Sequence, residues 1–150
     1  YAEPMDAPTL AAVDIGTNSV KMTIGRGETI LWDGMRVTRL GEGVDASGAL
    51  LPAAVARTLD ALTEFGRIAR EHGADRVHAV GTSAMRDAAD RENLVASAAA
   101  ALGGTVEVIS GEREAHLVYV AARRDPLLAV PEGSLLVATD VGGGSSEVVV

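Results

Sequence analysis

Residues 9–24 read TLAAVDIGTNSVKMTI, and they hold two strands and the turn between them. Thr9 to Ile15 is a run of strand-forming residues that closes on an acid, Asp14. Gly16, Thr17, Asn18 and Ser19 supply turn chemistry. From Ser19 to Gly25, Val20, Met22 and Ile24 alternate with Lys21 and Thr23, the period of a half-buried strand. The pattern returns near the other end of the sequence as DVGGGSSE, residues 140–147, again between strand-forming runs. Each stretch reads as a hairpin tip with a carboxylate at the end of its incoming strand. Glycine lets a backbone bend sharply and brings N–H groups close to an anion, and a nearby carboxylate can hold the divalent cation that neutralises it. Two such tips in one chain suggest two loops facing each other across a phosphate.

Outward from the first tip, Glu28 to Leu40 supplies a third strand and completes an antiparallel meander. Gly41 to Gly48 reads as loop. A helix follows, with Pro52 in its first turn and Val55, Leu59, Leu62, Phe65 and Ile68 along one face, ending at Gly73. Arg76 to Gly81 is a strand. Ala84 to Leu102 is helical in composition, its stronger part starting at Asp90 as N-cap. Val106 to Ile109 is a strand, and Ser110 caps a helix from Gly111 to about Arg124, stopped by Asp125-Pro126. Ser134 to Val141 and Glu147 to Val150 form the second hairpin.

Composition bounds the function. Of 150 residues, 47% are apolar and 23% charged, as in ordinary globular chains. Only 3% are aromatic, so the core must be aliphatic. There is no Cys, which excludes disulfides and thiolate metal sites. His72, His78 and His116 lack metal-ligand spacing. The net charge of -8 argues against nucleic acid or membrane as partner. No apolar run has the length of a membrane span, and Tyr1 to Pro8 lacks the features of a signal peptide, so a cytoplasmic location is expected. Residues 1–8 read as a disordered start or tag remnant.

The element order to Arg124, β-β-β-α-β-α-β-α, resembles the ribonuclease H-like domain of the actin-like ATPase and sugar kinase superfamily. On that reading 9–130 is one α/β domain, and 131–150 is the opening hairpin of a second copy. The chain then reads as part of a protein about twice as long, because a lone hairpin is marginally stable.

Four segments in order, AVDIGTNSVKMTI (12–24), GTSAMRDA (81–88), ISGEREA (109–115) and DVGGGSSE (140–147), resemble the exopolyphosphatase / guanosine pentaphosphate phosphohydrolase (Ppx/GppA) family. The resemblance implies hydrolysis of a terminal phosphoanhydride with Mg²⁺ (or Mn²⁺). Inorganic polyphosphate is the leading substrate and guanosine pentaphosphate the alternative. It implies Glu114 as general base, with Glu112 as competitor, and Arg86 as phosphate-contacting arginine. Gly16, Thr17, Asn18, Ser19, Gly142, Gly143, Gly144 and Ser145 become the phosphate loops, and Asp14, Asp140 and Glu147 the metal positions. Lys21 departs from the family, many of whose members carry His there. Plainer readings stand beside these: Arg86 paired with Asp87 or Asp90, Asp87 to Glu92 as a solvated helix start, Trp32 as packing. A kinase of the same superfamily or a non-catalytic phosphate-binding lobe are the rival classes. A homodimer is left open.

Overall fold

The computed structural model describes residues 7–150. The expected disordered or tag-derived start falls on residues 1–6, outside the described residues; Ala7 and Pro8 precede the first strand without regular structure. A meander opens the fold: β1 (Thr9–Ile15), β2 (Ser19–Arg26) and β3 (Thr29–Val37), paired antiparallel in sequence order. The short α1 (Val44–Ser47) and long α2 (Pro52–Glu71) lead to β4 (Arg76–Gly81), which lies parallel to β1. Then come α3 (Ser83–Asp87), α4 (Arg91–Leu102), β5 (Thr105–Val108) parallel to β4, and α5 (Gly111–Arg124). The five strands form one sheet in the order β3-β2-β1-β4-β5. A separate antiparallel pair, β6 (Ala138–Val141) and β7 (Ser146–Val149), packs against α5.

The alternation seen in the sequence sets one face of the sheet inward. Val13, Ile15, Val20, Met22 and Ile24 are buried against α2, whose Leu62, Phe65 and Ala69 face them. Phe65 is fully buried, worth about 1.5–3 kcal/mol on transfer from water. Trp32 meets it edge-to-face at 5.6 Å, so Trp32 is a packing residue. The core is aliphatic as composition requires, with this one aromatic pair at its edge. Among the described residues no helix is long and apolar enough to cross a membrane.

Three local readings are corrected. Residues 41–48 are not all loop: Gly43 and Gly48, both left-handed, bracket one helical turn that buries Val44. β3 stops at Val37, before Leu40, because the Thr38 and Arg39 N–H groups both turn to the Asn18 carbonyl. The segment 84–102 is two helices. Ala88 is extended and buried, Ala89 N–H donates to the Gly48 carbonyl, and Asp90 accepts from Leu50 N–H at 3.2 Å. Asp90 thus occupies the N-cap position of α4 while its carboxylate serves another loop. By contrast, Ser110 caps α5 as read, accepting from Arg113 N–H at 3.2 Å.

Candidate active site

Both tips close in the same way. Gly16 N–H donates to the Ser19 carbonyl at 3.0 Å, and Gly142 N–H to the Ser145 carbonyl at 2.9 Å. Across the ladders, Asp14 sits opposite Lys21 and Asp140 opposite Glu147. The two hairpins are therefore equivalent position by position, except that one pairs an acid with a base and the other pairs two acids. A third loop holds the first tip from outside: Arg39 N–H reaches the Asn18 carbonyl, and Gly41 N–H the Thr17 carbonyl.

The tips meet. A Cβ on Gly143 would lie 3.2 Å from the Asn18 Cβ, and one on Gly144 2.8 Å from both Thr17 Oγ1 and Ser83 Oγ. None of Gly16, Gly142, Gly143 and Gly144 takes a left-handed φ. Glycine is needed here for room, not for the bend expected of it.

Between the tips lies a cleft of about 110 Å³. Every residue expected to bind phosphate lines it, together with Asp14, Glu114 and Asp140. Lys21 and Thr82 line it as well. Thr82 was not among the expected site residues; it follows β4 directly, at the carboxyl end of a parallel strand beside β1, where ligands of α/β sheets gather. Arg86 and Glu147 do not line the cleft.

Glu114 stands in the first turn of α5. Arg86, in the short helix after β4, donates Nη1 to Glu114 Oε2 at 3.1 Å and to the Ile109 carbonyl at 3.0 Å. Neither plainer partner of Arg86 is taken up: Asp87 accepts from Ser83 Oγ and Asp90 from Leu50 N–H. Glu112, the competitor, is exposed and does not line the cleft.

Oxygens of Glu114, Asp140 and Glu147 lie within 4.8 Å of one another. Burial, then the charges of Glu147 and Asp14, push the Glu114 carboxyl above the usual glutamate range against the opposing pull of Arg86. Burial also raises Asp14, which Lys21 opposes and Asp140 reinforces. Asp14 Oδ1 and Glu147 Oε2 are buried and accept no hydrogen bond within the protein. Such atoms are costly unless something else satisfies them. Clustered carboxylate oxygens of this kind suit a hard divalent cation. Asp14 stands outside the close trio, opposite Lys21 on the β1–β2 ladder.

The sheet order and the paired tips fit a ribonuclease H-like α/β fold. The ethanolamine utilization protein EutJ from Carboxydothermus hydrogenoformans shares the fold alone, at TM-score 0.54 and 15% identity. The chain belongs to the Ppx/GppA phosphatase family, which it matches over residues 12–150. It is 41% identical to exopolyphosphatase 2 of Mycobacterium tuberculosis over 93% of this chain and 47% of that protein. It is 32% identical to the guanosine-5'-triphosphate,3'-diphosphate pyrophosphatase of Aeromonas hydrophila over 97% of this chain and 29% of that protein. An exopolyphosphatase structure from Cytophaga hutchinsonii superposes with TM-score 0.85 at 32% identity, covering 93% of this chain and 45% of that one. The chain thus spans less than half the length of these relatives.

Proposed function

We propose that this chain forms one side of an active site that releases terminal orthophosphate from inorganic polyphosphate. The observation that carries the reading is the meeting of two glycine tips over a cleft lined by Asp14, Glu114 and Asp140, with Glu147 beside the last two. The tips would hold successive phosphates through backbone N–H groups and the hydroxyls of Thr17, Ser19 and Ser145. Glu114, raised above the ordinary glutamate range, would take the proton of an attacking water. Arg86, just outside the cleft, holds Glu114 through Nη1 and would turn its other nitrogens toward charge that develops on the transferred phosphoryl group. Asp140 and Glu147, with Asp14 nearby, would hold Mg²⁺ or Mn²⁺, which when bound neutralises phosphoryl oxygens. Positioning and electrostatics then supply most of the catalysis, as in phosphoryl transfer generally.

We read residues 131–150 as the opening hairpin of a second domain. The identical closing bonds of the two tips support this. A cation that accompanies the substrate also reconciles a polyanion with a chain of charge -8.

The test is phosphate release by the full-length polypeptide from polyphosphate and from guanosine pentaphosphate, with Mg²⁺ and after chelation. Release from polyphosphate that chelation abolishes supports the reading. Release from guanosine pentaphosphate alone would move the substrate to the nucleotide named for the Aeromonas relative. No release from either would overturn it.

A further inference from the structure

Arg86 is the fourth residue of α3, a five-residue helix too short to fix it by helical bonds alone. Its own N–H reaches the Thr82 carbonyl at 2.9 Å. Ahead of it, Nη1 is anchored to the Ile109 carbonyl and to Glu114. Behind it, the chain turns extended at Ala88 and the helix ends. The Arg86 carbonyl there accepts from Arg91 Nη1 at 2.7 Å, so the first residue of α4 grips the Arg86 backbone.

Two further bonds tie this break to a loop some forty positions upstream. Ala89 N–H donates to the Gly48 carbonyl at 3.0 Å, and Leu50 N–H to Asp90 Oδ1 at 3.2 Å. The loop is itself held: Gly48 N–H bonds the Val44 carbonyl at 2.7 Å, and Ser47 Oγ accepts from Ala49 N–H at 3.2 Å. Asp90 is the informative member of this set. An aspartate at an N-cap position ordinarily bonds the first N–H groups of its own helix. Asp90 makes no such bond, and its carboxylate serves Leu50 instead. On one side Leu50 and Asp90 border an open cavity of about 350 Å³ between α2 and α4. Packing does not hold the break on that side, so the hydrogen bonds must.

We infer that Asp90 is a positioning residue for Arg86. By tying the α3–α4 break to the Leu50 loop, it holds the guanidinium where it meets Glu114. This rests on the proposed role of Arg86 in phosphoryl transfer and adds to it a residue that does not line the cleft. Catalysis by positioning is sensitive to small displacements that originate far from the chemistry.

The test uses the full-length polypeptide with Asp90→Ser, Asp90→Asn, Arg86→Ala, and Asp90→Ser combined with Arg86→Ala. Serine can cap α4 but is shorter than the carboxylate that reaches Leu50, so it cuts the tether without uncapping the helix. Asparagine keeps an acceptor oxygen in place. On the substrate that wild type hydrolyses, Asp90→Ser should lower kcat roughly tenfold with KM unchanged, and Asp90→Asn should keep the wild-type kcat. In the Arg86→Ala background Asp90→Ser should cost nothing more, because it acts only through Arg86. Wild-type kcat in Asp90→Ser, an equal loss in Asp90→Asn, or multiplied losses in the double variant would overturn the inference while leaving the hydrolase reading intact. If wild type releases no phosphate, the hydrolase reading fails on its own. The NMR signal of Arg86 Nε, assigned by its loss in Arg86→Lys, then decides this inference separately. A more mobile Nε in Asp90→Ser, with Asp90→Asn as rigid as wild type, supports it, and equal rigidity in all three sinks it.

Discussion

Arg86 and Glu114 are joined through a single nitrogen. Nη1 reaches Glu114 Oε2 at 3.1 Å and the Ile109 carbonyl at 3.0 Å, so the guanidinium is anchored to the end of β5 while it holds the carboxylate. Both side chains are largely buried, at 26% and 15% exposure. The ion pair keeps a carboxylate oriented in a crowded acidic site, and three other influences push the same carboxylate toward its neutral form. A carboxylate set between these pulls is suited to take up a proton.

Glu114→Gln should therefore lower kcat by about 100- to 10,000-fold with little change in KM. The glutamine carbonyl can still accept from Arg86, so the melting temperature should not fall. Phosphate-release kinetics together with a thermal melt check this, and near-wild-type kcat would remove Glu114 as the base.

Removing the arginine should move the pH profile. Arg86 lowers the Glu114 pKa through its hydrogen bond and charge, so Arg86→Ala leaves only influences that raise it. The acidic limb of the rate profile, where the base is protonated, should then shift to higher pH. The plateau rate should drop by about 100- to 1,000-fold for a lost charge-stabilising donor. A profile with an unmoved acidic limb would mean that Glu114 does not set it.

Asp14 offers a stability test with a definite sign. Its folded pKa is raised above 3.8, so the native state binds the proton more tightly than the unfolded chain does. Stability then declines as pH rises from 3.8 through the raised value, and the cost is complete above it. Asp14→Asn is neutral throughout. At pH 7 without divalent cation it should be more stable by on the order of 1 kcal/mol, or ~2–4 °C in melting temperature. The advantage should vanish below pH 3.8. Added Mg²⁺ should stabilise wild type more than the variant. Melts across pH, with and without metal, measure both effects.

The contact between tips predicts a sharp contrast between two glycines. A methyl at Gly144 would press on Thr17 and Ser83, whereas one at Gly111 meets nothing within 4 Å. Gly144→Ala should cost about 1–3 kcal/mol and raise KM by spreading the tips. Gly111→Ala, at the first residue of α5, should be neutral or slightly stabilising, by less than the ~0.5–1 kcal/mol of a mid-helix glycine. Denaturant unfolding of both variants is the measurement.

The first hairpin was legible because its information is local. Period-2 alternation of Val20, Met22 and Ile24 against Lys21 and Thr23 is a property of neighbouring residues, and the structure buries the first set. The Ser110 cap was legible for the same reason. The break between α3 and α4 was not, because it is imposed by Gly48 and Leu50, some forty positions upstream of Asp90. The Arg86–Glu114 pair, the approach of Glu147 to Glu114, and the place of Thr82 in the cleft were equally hidden.

What the sequence by itself determined is the order of the strands and long helices, apart from α1 and the break between α3 and α4, and the family. Alternation, capping and turn chemistry act over a few residues and can be read in a line. Tertiary structure alone decided that Arg86 spends a nitrogen on Glu114, that three carboxylates share one space, and that the tip glycines serve close approach. Those facts depend on distances across the sheet and between hairpins, set by how the core packs and not by any neighbour along the chain.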